Sequence, residues 1–89
     1  MIVDARKNSD HLKGFIEGSI SLPDTDTNSE SLAAIINDKH TPVVFYCNGV
    51  KCARSVKAAK IAVESGYSNI FWFRGGWDEW INKGFPITK

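Results

Sequence analysis

Two cysteines and an arginine lie within eight residues of one another, directly after a strongly apolar stretch of the chain. The stretch Val43–Tyr46 is followed by Cys47, and a polar loop with Cys52 then leads to Arg54, where a helix-like segment begins. A thiolate forms most easily between the end of a strand and the start of a helix, because loop amides and the helix dipole both stabilise its charge. We therefore interpret Cys47 as a nucleophile rather than as a small buried residue.

The loop after Cys47 has the composition of an anion-binding cradle. Successive backbone amides in such a loop form a concave site for negative charge, and two cations lie within it. The predicted anion-binding residues are Asn48, Gly49, Val50, Lys51, Cys52, Ala53, Arg54 and Ser55. For Arg54 two roles stay open, since its guanidinium could pair with the anion or hold the shape of the loop.

Three roles are open for Cys52. It could be a resolving thiol that closes a disulfide with Cys47 on oxidation. It could be the nucleophile itself, since it lies two residues before Arg54, or a loop residue without chemistry. The spacing of the two cysteines matches neither a Cys-x-x-Cys redox pair nor a zinc knuckle, so we predict no metal site and no cofactor.

Strand-like and helix-like segments alternate along the chain. Strands are predicted at Ile2–Asp4, Val43–Tyr46 and Ile70–Phe73, and the longer helices at Ser29–Asp38 and Ala53–Ser65. Three shorter pieces complete the prediction, namely a helical turn at Ser9–Lys13, an extended piece at Ser19–Leu22 within a loop from Gly14 to Leu22, and a helix at Trp77–Asn82. This alternation predicts an α/β fold with a mostly parallel sheet and helices on its faces.

Ligands of parallel sheets bind at the carboxyl ends of the strands. In the predicted sheet, Asp4, Cys47 and Arg74 lie at such ends. Four residues are candidates to support the site around Cys47, namely Asp4, Arg6, Arg74 and Trp77. We favour a structural hydrogen-bonding role for the first two. Arg74 could contact substrate or pair with Asp78 or Glu79, and Trp77 is expected to wall the pocket.

Composition and charge limit the classes of partner that the chain is expected to bind. The 89 residues are 43% hydrophobic and 24% charged, as in one small globular domain. Residues 1–40 carry a net charge of −3 and residues 41–89 a net charge of +4, with four cations and no acid between positions 41 and 63. This asymmetry favours a small anionic partner. The patch is too short to favour nucleic acid, and no apolar run or signal peptide indicates a membrane. A cytoplasmic location is favoured, with a periplasmic one the alternative if a leader is removed.

Several motifs occur together in a fixed order. They are Ile2-Val3-Asp4-Ala5-Arg6, Gly14-Phe15-Ile16-Glu17-Gly18-Ser19-Ile20, Tyr46-Cys47 with Gly49, Arg54 and Ser55, then Gly66-Tyr67, Ile70–Phe73, Gly75-Gly76, Trp80 and Gly84-Phe85-Pro86. In this order they resemble the single-domain rhodanese family of sulfurtransferases. The resemblance implies a three-layer rhodanese-like fold, a central mostly parallel sheet with helices on both faces, over residues 1–89.

The chain departs from the family pattern at two places. Six residues separate Cys47 from Arg54, where the family usually has four and Cdc25-type phosphatases five. The strand and helix that usually precede the Asp-x-Arg strand are absent from residues 1–89, so one edge of the sheet is expected to be bare or covered by other residues.

The resemblance implies a sulfurtransferase that moves sulfane sulfur from thiosulfate or a persulfide donor to a thiophilic acceptor through a Cys47 persulfide. The expected partners are a small anionic sulfur donor and an acceptor that is cyanide, a thiol or the thiol of a partner protein. One alternative is a non-enzymatic persulfide carrier or a redox-sensing module that uses Cys47 and Cys52. Another is a phosphatase or arsenate reductase of the Cdc25 type, which the longer loop favours and Tyr46, in place of the usual histidine, disfavours.

Overall fold

The computed structural model describes all 89 residues and is built around a four-stranded sheet. The strands are β1 (Ile2–Asp4), β3 (Ser19–Ser21), β4 (Val43–Tyr46) and β5 (Ile70–Phe73), in the spatial order β3-β1-β4-β5. All neighbouring strands are parallel, with Asp4 in register with Tyr46 and Tyr46 with Phe73. The carboxyl ends of β1, β4 and β5 therefore meet at one rim, as the sequence predicts.

Four helices pack against this sheet. They are α1 (Asn8–Lys13), α2 (Ser29–Ile35), α3 (Arg54–Glu64) and α4 (Gly76–Asn82), and a single 3-10 turn spans Asp24–Asp26. Asn28 caps α2 by accepting a hydrogen bond from the amide of Ser31, whose hydroxyl accepts one from the amide of Asn28. This reciprocal pair begins the helix at the predicted position.

The main core lies between the sheet and helices α2 and α3. It contains Val3, Ala5, Leu32, Ile36, Val43, Phe45, Ala58, Ala62 and Tyr67, all at most 2% exposed. The prediction that α2 runs to Asp38 is wrong, because the backbone of Ile36 is extended (φ −129°, ψ 98°). This conformation buries Ile36, whose carbonyl oxygen accepts a 3.0 Å hydrogen bond from the Tyr67 hydroxyl. Tertiary packing thus ends the helix before its periodic pattern does.

The opposite face of the sheet is covered by α1, α4 and a small antiparallel sheet of β2 (Phe15–Ile16) and β6 (Ile87–Thr88). Alternate residues of a strand point to opposite faces, so Tyr46 faces this layer while Phe45 faces the main core. The Tyr46 hydroxyl accepts a 3.2 Å hydrogen bond from the Ile16 amide and lies 2.9 Å from the Ser19 hydroxyl. The α/β fold with a mostly parallel sheet and helices is confirmed, although the sequence did not predict β2 and β6.

Strand β5 forms one edge of the main sheet and leaves apolar side chains open to solvent. Phe71 is 55% and Trp72 46% exposed. No helix of the structure has both the length and the apolar character needed to cross a membrane.

Candidate active site

Cys47 leaves β4 at the rim and is 1% exposed. The first turn of α4 holds the backbone of Cys47 and of the next residue, because the Trp77 amide donates to the Cys47 carbonyl oxygen and the Asp78 amide to that of Asn48, both at 2.8 Å. These two hydrogen bonds fix the direction in which the chain leaves the strand. The sequence predicted the position of Cys47, and the contacts from α4 add its anchor.

The loop that follows Cys47 contains few hydrogen bonds between its own residues. Its one backbone hydrogen bond runs from the Cys52 amide to the Gly49 carbonyl oxygen at 3.0 Å, and α3 begins at Arg54 without a side-chain cap. The amides of Asn48, Gly49, Val50, Lys51, Ala53, Arg54, Ser55 and Val56 donate to no protein acceptor. Free amides at the start of a helix form an environment that stabilises negative charge.

Cys47 and Cys52 are joined by a disulfide, with their α-carbons 6.3 Å apart. The structure therefore holds the oxidised form of the loop, and the predicted Cys47 thiolate belongs to the reduced form. Of the three roles left open for Cys52, that of a resolving thiol requires this contact with Cys47.

A pocket of about 420 Å³ opens beside this disulfide. Its lining residues are Asn48, Gly49, Val50, Lys51, Cys52 and Asp78. Asp78 contributes a carboxylate to the wall, so close to Gly49 that a Cβ atom there would touch Oδ2 of Asp78. The pocket thus combines free amides and Lys51 with one acidic group that the sequence interpretation did not include.

Two of the eight predicted cradle residues turn their side chains elsewhere. Arg54 donates to the Asp24 carboxylate at 2.7 Å, and Lys57 lies 3.8 Å from the same group. The Ser55 hydroxyl is buried and accepts a 2.9 Å hydrogen bond from Nε1 of Trp72. In this structure Arg54 therefore ties the start of α3 to the 3-10 turn, and Ser55 contributes its amide but not its side chain to the loop.

Asp4 and Arg6 form a buried ion pair beside the site. The Asp4 carboxylate accepts hydrogen bonds from the amide, Nε and Nη2 of Arg6 at 2.7–3.1 Å, and Nδ1 of His11 lies 2.8 Å away. Nη2 of Arg6 also donates to the Gly14 carbonyl oxygen at 2.7 Å. These bonds join β1, α1 and the following loop beneath the rim.

Ionisation within this buried cluster follows from burial opposed by hydrogen bonds. Burial alone would raise the pKa of Asp4, but hydrogen bonds from Arg6 and His11 outweigh it and lower that pKa. Burial likewise opposes the charge of Arg6, yet the bond to Asp4 raises its pKa. Burial raises the pKa of Tyr46. The Asp4–Arg6 pair is therefore ionised at neutral pH, and Tyr46 is neutral.

The remaining two predicted support residues differ in their surroundings. Trp77 lies over the Arg6 guanidinium, with 4.6 Å from Cζ to the ring centroid, and lines a second pocket of about 270 Å³ with Arg6 and Asn48. Arg74 is exposed and forms no ion pair, either with Asp78 or with Glu79. Trp77 is thus beside the loop, and Arg74 is outside it.

The family assignment follows from sequence comparison. A rhodanese-like domain model matches residues 1–83 of the chain. The chain belongs to the rhodanese-like domain family. This confirms the resemblance drawn from the motifs, and membership supports a sulfurtransferase-type function in general.

Relatives of different sizes share this rhodanese-like domain. A rhodanese domain-containing protein of Drosophila melanogaster is 32% identical over 92% of the chain and 82% of its own length. A tRNA uridine(34) hydroxylase of Yersinia enterocolitica is 31% identical over 98% of the chain, but the chain spans only 26% of that enzyme.

Solved structures give the same fold. A rhodanese-like domain from Anabaena superimposes with a TM-score of 0.87 at 21% identity, covering 100% of this chain and 98% of the other. A rhodanese from E. coli described with anions gives a TM-score of 0.80 at 26% identity, covering 99% and 95%. The four-stranded parallel arrangement is thus that of rhodanese-like structures.

Gly76 is the position at which a side chain would disturb Cys47 most directly. Its φ is +56°, and a Cβ atom there would collide with the Cys47 carbonyl group. Gly84 also has positive φ (+70°) but nothing within 4 Å of its Cβ position. We expect Gly84→Ala to cost about 1 kcal/mol from left-handed strain alone. Gly76→Ala should cost a further ~1–3 kcal/mol from the collision, measured by urea unfolding. Equal losses in the two variants would contradict the close contact with Cys47.

Proposed function

We propose that this rhodanese-like domain is a sulfurtransferase that carries sulfane sulfur as a persulfide on Cys47. The observation that carries the proposal is the position of Cys47 at the rim, before a loop and helix start whose eight amides have no protein acceptor. Cys47 itself is buried, and negative charge that develops on its sulfur could be stabilised by these N–H groups. Thiosulfate or a persulfide is the donor, and cyanide or a thiol is the acceptor.

The reaction needs no general acid. The Cys47 thiolate attacks the outer sulfur of thiosulfate, a new S–S bond forms, the bond to the inner sulfur breaks, and sulfite leaves with the electron pair. An acceptor thiophile then attacks the outer sulfur of the persulfide and regenerates the thiolate, which gives ping-pong kinetics. An ordinary cysteine has a pKa of about 8.5, and the amides at the start of α3 would favour its thiolate.

The phosphatase alternative receives less support from the site. Phosphoryl transfer needs cations on the phosphate oxygens, whereas the Arg54 guanidinium is engaged by Asp24 and the Asp78 carboxylate stands in the pocket wall. The disulfide, by contrast, favours a second candidate in which the loop responds to oxidation through Cys47 and Cys52.

Two assays on the freshly reduced protein test the proposal. We expect thiocyanate to form from thiosulfate and cyanide, with parallel lines in double-reciprocal plots, and a chromogenic phosphate ester to remain intact. Hydrolysis of the ester without thiocyanate formation would contradict the proposal in favour of the phosphatase. If both activities are absent, and the intact mass shows no gain of one sulfur atom from thiosulfate or glutathione persulfide, the chain is neither a sulfurtransferase nor a phosphatase.

A further inference from the structure

We propose that Cys52 discharges the Cys47 persulfide within the chain and releases its outer sulfur as hydrosulfide. This rests on the proposed function, since the persulfide must first form, but it assigns a second activity to the same loop. The chain would then be a thiosulfate reductase when a dithiol reductant is present, in addition to a transferase.

The observation behind this inference is that the Cys52 sulfur reaches the Cys47 sulfur within the folded loop. The two are bonded in the structure, and their α-carbon separation of 6.3 Å lies in the ordinary disulfide range. Hydrogen bonds hold the loop on both sides of this contact, from Trp77 to Cys47 and from Cys52 to Gly49. Attack by Cys52 is therefore intramolecular and gains the large effective concentration of a positioned group.

Burial favours the internal thiol over an external one. Cys47 is 1% exposed, so a bulky thiol from solution has poor access to it, whereas the Cys52 sulfur is already beside it. We infer that the loop favours internal discharge when only bulky thiols are available.

The step needs only the Cys52 thiolate, the Cys47 persulfide and a dithiol reductant. Cys52, as thiolate, attacks the inner sulfur of the persulfide, the Cys47–Cys52 bond forms, and the bond to the outer sulfur breaks. The outer sulfur leaves with the electron pair as hydrosulfide, so one sulfane sulfur is reduced while two thiols are oxidised to a disulfide. A dithiol reductant then reduces that disulfide and is itself oxidised, which restores both thiols.

A single-turnover experiment without oxygen tests the step. The full chain is reduced, freed of reductant, mixed with thiosulfate, trapped with an alkylating reagent, and analysed by peptide mass and hydrosulfide assay. In the wild type we expect sulfite and about one hydrosulfide per chain, with Cys47 and Cys52 crosslinked. Cys52→Ser should retain one added sulfur on Cys47 and release hydrosulfide at least about tenfold more slowly. Added dithiothreitol should make release catalytic in the wild type.

Three other outcomes would contradict internal discharge by Cys52. A persulfide that persists on Cys47 of the wild type as long as in Cys52→Ser overturns internal discharge and leaves the transferase standing. Sulfur recovered on Cys52 overturns it as well, since the attack would then be on the outer atom. If thiosulfate loads neither protein, glutathione persulfide is used as donor, and lack of a crosslink in that case also overturns the inference.

Discussion

Thiocyanate formation from thiosulfate and cyanide should fall at least about 10³-fold when Cys47 is replaced by serine, because removal of a covalent nucleophile eliminates the catalysed path. A serine hydroxyl stays protonated at neutral pH and cannot carry sulfane sulfur. The buried site accepts serine without a change of shape, so the loss should be chemical. Initial rates with reduced protein measure it, beside a urea unfolding curve that checks the fold.

Cys52→Ser is the matched control for this variant. It removes the other thiol of the same loop and also prevents the disulfide, yet it leaves Cys47 at the end of β4. We expect it to keep the first half-reaction, in which thiosulfate loads one sulfur and releases sulfite. If Cys52→Ser lost that half-reaction while Cys47→Ser kept it, the two cysteines would exchange roles and Cys52 would be the carrier.

The centre of the main sheet could be predicted because β4 and β5 are apolar over their whole length. Val43–Tyr46 is buried on both sides by neighbouring layers, so its residues form one continuous apolar run in the sequence. Strand β1 and strand β5 pair with it at the predicted positions. The rim followed from this, since parallel strands bring their carboxyl ends together.

The elements that the sequence did not predict are those whose pairing is set by distant residues. Strands β2 and β6 have two residues each, too few for an alternating pattern, and they pair over about seventy positions of chain. Helix α2 stops early because Ile36 is needed in the core. Neither signal is present in the local sequence.

The candidate active site could likewise be predicted only in part. The position of Cys47 followed from the strand, but the partners of charged side chains did not, because ion pairs join segments far apart in sequence. Nothing in the sequence around His11 indicates its contact with the buried Asp4, seven residues earlier. Asp24 engages Arg54 from thirty residues away, and Asp78 enters the pocket wall from α4. The one signal for Asp78 was its place directly after the Gly75-Gly76-Trp77 turn.

Asp4→Asn should destabilise the fold by about 3 kcal/mol, because removing one member of a buried ion pair leaves the other charge uncompensated. The side chains of Asp4 and Arg6 are at most 3% exposed, and three donor groups of Arg6 bond to the Asp4 carboxylate. For so small a domain this is a large part of a stability of roughly 5–15 kcal/mol. Asp26→Asn is the control, since it removes the same charge from an exposed residue that forms no ion pair. Urea unfolding at pH 7 measures both, and equal midpoints would contradict the buried pair.

Acid should erase this difference between the wild type and Asp4→Asn. The pKa of Asp4 is lowered in the folded protein, so its ionised form stabilises the fold at pH values above the unfolded value of about 3.9. As pH falls from there through the lower folded pKa, the carboxylate becomes protonated in both states and its contribution is lost. The difference in unfolding free energy should thus stay constant down to about pH 5 and shrink towards pH 2. A difference that persists unchanged to pH 2 would mean that shape or packing at this position, rather than the charge of Asp4, stabilises the rim.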